Sequence, residues 1–152
     1  MNRSRAMAVL IMFAATLTLG IVLIVAFEPD IQTTDAKDLV ARRDDARAFL
    51  AVDYVFIAFY AVLSPLAIWR FGSALTSGSP PRWIKLTALL LVAAGLVDAT
   101  ENALLLSATG SVSEGAVDVA HALKIPKFTL FGLGAALALR ANVWAWRELR
   151  RR

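Results

Sequence analysis

The stretch LVDATENALLL, Leu96 to Leu106, sets Asp98, Glu101 and Asn102 inside an apolar run. At 3.6 residues per turn, positions i, i+3 and i+4 share one stripe of a helix, so the three polar groups face one way. The run around them, from about Trp83 to Leu106, is close to the ~20 residues that carry a helix across ~30 Å of hydrocarbon. The stretch therefore reads as part of a membrane span with a polar stripe on one face.

The rest of the chain agrees. Of 152 residues, 59% are hydrophobic, above the roughly 45–50% of soluble domains. Three further apolar stretches are candidate spans: about 6–27, 49–71 and 120–146. The first is longer than the apolar region of a signal peptide, and VAFEPD after it lacks a small-x-small cleavage site, so it is kept as a span. The expected fold is all-α, a single domain over 1–152 built as an up-down-up-down four-helix bundle. Ser111 and Glu114 read as a capping box that starts the last helix, and Pro126 within it predicts a kink. Residues 35–48 carry a helical charge pattern, Asp38 and Arg42 four apart, and predict an outside amphipathic helix leading into the second span. Gly95 with Ala99 and Ala103, and Gly132 with Ala136, are small residues at four-residue spacing that permit close helix approach.

Basic residues fix the orientation. Arg3, Arg5, Arg70, Arg82, Lys85 and the arginines from Arg140 onward fall on one side, whereas Lys37, Arg42, Arg43 and Arg47 on the other are diluted by acidic neighbours. Lysine and arginine are retained in the cytoplasm, so both termini are expected there, in a multi-pass protein of the cell membrane. Trp69, Trp83, Trp144 and Trp146 all fall at the same predicted interface. The net charge of +4 is then explained by topology and contact with membrane lipids, and nucleic acid is not an expected partner.

Depth counting assembles the polar residues into one layer. Asp53 lies ~6 Å inside the second span, Glu101 and Asn102 ~6–8 Å and Asp98 ~12 Å inside the third, and Lys124 and Lys127 ~6 and ~10 Å inside the fourth. Because a charge facing lipid near the bilayer centre costs about 2.5–3.5 kcal/mol, these groups are expected to turn inward and pair. Tyr60, seven residues after Asp53, extends the layer inward, and His121 joins it from the outer surface; Tyr54 is expected to point elsewhere. Three carboxyls against two ammoniums leave one negative charge, to be protonated or met by a charged His121.

The absence of cysteine excludes disulfide frameworks, thiolate metal sites and thiol redox chemistry, and a single histidine leaves a two-histidine haem without its second ligand. No metal site and no cofactor are expected, since two lysines beside the acids oppose a divalent cation. The leading functional expectation is binding, with transport as an extension, of a small polar, zwitterionic or lipid-headgroup ligand. Asp53, Tyr60, Asp98, Glu101, Asn102, His121, Lys124 and Lys127 would line the site. A subunit of a larger membrane complex is the structural alternative, and an intramembrane acid/base enzyme acting on a lipid is the catalytic one. Small-residue faces allow a homo-dimer.

Overall fold

Helix α1 (Ala36–Ala41) starts where the Asp35 side chain accepts the Asp38 backbone N–H at 3.0 Å. It stops at Arg42, whose φ of −108° and ψ of 27° leave the helical region. A computed structural model describes residues 35–76 and 79–151 of the chain. The expected first span, 6–27, lies outside the described residues. All regular structure within them is helical.

Beyond the break, α2 (Arg43–Ile57), a π-helical segment (Ala58–Leu63) and α3 (Ser64–Thr76) follow without interruption. The expected outside helix over 35–48 is thus divided. Its first part is α1, and its second part is the opening of α2, so the long apolar helix begins at Arg43 rather than 49. The π segment has a local cause in Pro65. Proline has no N–H and its ring would strike the carbonyl one turn back, so the ladder cannot continue in α register. Ser64 resolves this by turning both its backbone N–H and its hydroxyl, the latter at 3.0 Å, to the carbonyl of Phe59, five residues back. The extra residue leaves Tyr60 and Ala61 both buried.

Helix α4 (Arg82–Ala108) is the centre of the arrangement and packs against both other long helices. Its buried face recurs every seven residues through Ile84, Leu91, Asp98 and Leu105, with Thr87, Ala88, Ala94, Gly95, Glu101 and Asn102 between them and Ala108 at the end. This 3.5-residue seam is the pattern by which neighbouring helices stay in contact over their whole length. Helix α5 (Glu114–Arg151) meets it with Val117, Ala120, Lys127, Gly134, Ala138 and Ala141. It begins at Glu114, so the cap position falls on Ser113, whose carbonyl accepts Val117 N–H at 3.3 Å, and not on Ser111. The helix continues through Pro126 as one element.

Small residues act where the helices cross, in one case as expected and in the other not. A methyl added to Gly95 would overlap the Ala61 methyl, so α4 and the π segment approach there as closely as backbones allow. On α5 the close contact is made by Gly134, where an added Cβ would lie 2.8 Å from Leu91 Cδ2, with fully buried Ala138 one turn on. Gly132 has open space around it, and Ala136 and Ala103 are exposed. The predicted Gly132–Ala136 face is therefore not used among the described residues.

Three apolar clusters are stacked along the bundle. At the α4–α5 turn, Leu39 of α1 closes over Leu50, Leu105, Val117 and Ala120. In the middle are Ile57, Tyr60, Ala61 and Ala94, and at the far end Ile68, Ile84, Leu91 and Ala138. At that far end Trp83 and Trp144 meet edge to face at 5.6 Å, Arg140 lies over the Trp83 ring, and Lys85 lies over Trp69. Among the described residues three helices are thus long and apolar enough to cross a membrane: Arg43–Leu75, Arg82–Ala108 and Glu114–Glu148.

Candidate functional site

Between the first and second of these clusters the seam is not apolar. Asp98 occupies the same heptad position as Leu91 and Leu105, and Glu101 and Asn102 occupy the next one, so the helix period that builds the core also carries these groups into it. Glu101 and Asn102 are 0% exposed and Asp98 is 5% exposed.

The opposing helices answer group by group. Lys127 of α5, itself buried, donates to Asp98 Oδ1 at 3.0 Å, and its Nζ lies 2.5 Å from Glu101 Oε2 in an ion contact outside hydrogen-bond geometry. Tyr60 of the π segment donates its hydroxyl to Asp98 Oδ2 at 2.7 Å, so both Asp98 oxygens are satisfied. Asn102 Nδ2 donates to Asp53 Oδ2 of α2 at 2.8 Å. Six of the eight predicted residues, Asp53, Tyr60, Asp98, Glu101, Asn102 and Lys127, are therefore joined through direct contacts or along one turn of α4.

The remaining two lie further along α5, toward its start. Lys124 shares the α5 seam but is half-buried, ~4.5 Å along the helix from Lys127. His121 is half-buried a further turn toward the α4–α5 turn, ~9 Å from Lys127 along the axis, and its buried Nε2 has no hydrogen-bond partner. His121 follows Ala120, which packs into the apolar cluster at the α4–α5 turn.

Other contributors were not anticipated. Tyr54, expected to point elsewhere, donates to the Ala99 carbonyl at 3.3 Å and packs against the middle cluster. Phe56, Tyr60 and Phe131 form an aromatic floor beneath the layer, with Tyr60 and Phe131 edge to face at 5.1 Å. The signal was present, since Phe56 is three residues after Asp53 and Phe131 four after Lys127, both helical spacings. On the opposite side Arg47 Nε donates to Thr109 Oγ1 at 3.2 Å and ties α2 to the end of α4.

Three oxygens of the layer have no hydrogen bond; Glu101 Oε2 has the Lys127 ion contact, which leaves Glu101 Oε1 and Asn102 Oδ1 with no described contact to a partner group. Buried acceptors in folded proteins are nearly always satisfied, and an orphaned one costs about 1–3 kcal/mol. The layer thus combines a fastened half around Asp98 and an unsatisfied edge at Glu101 and Asn102. Among the described residues no group of three or more histidines and acids is arranged to hold a metal ion.

In class, the described residues form a helical protein with three candidate membrane helices and a charged layer buried between apolar sections. No family model, curated protein or solved structure matches the chain.

Proposed function

We propose that the chain is a multi-pass protein of the cell membrane, with both termini cytoplasmic, whose buried layer binds a small polar or zwitterionic molecule or a lipid headgroup. The observation that carries this reading is the pair of wholly buried side chains, Glu101 and Asn102, each with an acceptor oxygen unmatched by the protein. A layer serving only to hold helices together would gain from closing those bonds, whereas a binding site leaves them for its ligand. Membrane residence is supported by the outward faces of the long helices, where Leu66, Leu89, Leu96, Ile125 and Leu139 are more than half exposed. Ionisable groups within such helices are most often functional.

Native mass spectrometry of the protein released from mild detergent tests the reading. The wild type is expected to carry a small-molecule or lipid adduct that Glu101→Gln loses while keeping its helical content. Retention of every adduct by the variant contradicts it.

A second reading, a structural subunit fastened by its ion pairs, is favoured by one specific contact set. Lys127 bridges two carboxyls and Tyr60 a third helix segment, so Asp98 alone links three elements. That reading calls for a protein partner to be lost when Asp98→Asn is purified, with adducts unchanged.

A further inference from the structure

The charges and the orphaned oxygens of the layer together specify one end of the ligand. Asp53, Asp98 and Glu101 supply three carboxyls. Lys127 supplies one buried ammonium and Lys124 a second, half-buried one. With all five ionised the balance is one negative charge, buried where an uncompensated charge is costly. Two buried groups of the layer have an oxygen with no described hydrogen bond or ion contact, a carboxylate and an amide, and both are acceptors carried by residues adjacent in sequence. What fits is a single positive charge that also donates hydrogen bonds.

A primary ammonium has both properties: one charge and three N–H donors on a compact head. A quaternary ammonium has the charge but no donor, and is recognised by aromatic faces, which here lie below the layer as a closed floor around Tyr60. A divalent metal ion would overcompensate the single charge and would want more oxygen or nitrogen ligands than this edge presents. Resting on the binding reading above, we propose that Glu101 Oε1 and Asn102 Oδ1 receive the primary ammonium group of the ligand. The contact to Glu101 is charge-assisted and the one to Asn102 neutral. Asn102 is held for this task, because its Nδ2 is committed to Asp53 and its Oδ1 is thereby left as the acceptor.

The test is thermal unfolding of the full chain in detergent, at one pH and one ionic strength, with methylammonium, tetramethylammonium or sodium chloride. Methylammonium is expected to raise Tm by at least about 2 °C over the other two salts, a shift of the size given by a ligand binding only the folded state. The increment should vanish in Glu101→Gln and persist in Glu114→Gln, an exposed acid at the start of α5. Equal Tm in all three salts, or equal stabilisation by sodium, overturns the assignment; this salt contrast stands on the wild type alone if Glu101→Gln does not fold. Micelles doped with phosphatidylethanolamine or phosphatidylcholine separate the sources. A gain with the first only marks a lipid headgroup, and a gain with methylammonium but neither lipid marks a soluble amine. If the salts give no contrast while Glu101→Gln still loses an adduct, the ammonium assignment falls and the binding reading stands. If the adducts are also indifferent to Glu101, both fall.

Discussion

The same three helices pack along the same seam at two levels and fill it in opposite ways. Toward Trp83 and Trp144 the seam holds Ile68, Ile84, Leu91 and Ala138; one heptad further along α4 it holds Asp98, Glu101 and Asn102 against Asp53 and Lys127. The α4 seam is shared, so the difference lies in its side chains and in the π register that brings Tyr60 to Asp98. In the apolar section each residue is interchangeable with another of its shape. In the polar section each residue depends on a named partner, and the one edge without partners is where binding is placed. Periodicity decides which residues meet, and chemistry decides whether meeting makes a core or a site.

The largest effect should come from breaking the polar section at Lys127, its deeply buried cation. Lys127→Met leaves Asp98 and Glu101 without their counter-charge, and loss of about 3–5 kcal/mol is expected in chemical unfolding in detergent. In the apolar section the matching lesion is Leu91→Ala, which opens a void against Gly134 and should cost about 2–4 kcal/mol in the same assay, with adducts retained. The junction between the sections is sharpened by two glycines that respond with opposite signs. Gly95→Ala drives its methyl into Ala61 and should destabilise by about 1–3 kcal/mol, whereas Gly132→Ala, in open space, should be neutral or stabilise by up to about 1 kcal/mol. The smallest loss of stability is that of Tyr60→Phe, which removes one donor from Asp98 and leaves the ring on Phe131. About 0.5–1.5 kcal/mol is expected, since Lys127 still holds the other oxygen.

How legible this was in the sequence differs from residue to residue for physical reasons. The Asp98, Glu101 and Asn102 stripe follows from the helical period, and Lys127 and Asp53 follow from charge that has to turn away from an apolar surround. Tyr60 was legible as a neighbour of Asp53 on one face, but its bond to Asp98 depends on the π register that Pro65 imposes, which spacing in α register does not give. How far His121 lies from Lys127 follows from helix rise alone, but which groups face it across the helices depends on how far one helix slides along another, which a count along the sequence does not give. The choice of Gly134 over Gly132 likewise rests on which face of α5 meets Leu91, a tertiary fact invisible to a count of small residues. The division of 35–48 at Arg42 has no proline or glycine to announce it.

The central claim is that Glu101 is kept for a ligand and not for the fold. It is tested most directly by the unfolding free energy of Glu101→Gln beside wild type, each stripped of bound molecules. Lys127 keeps its bond to Asp98 in the variant and one uncompensated negative charge is gone, so stability equal to or above that of wild type is predicted. A loss as large as that of Lys127→Met would contradict the account and make Glu101 a fastening.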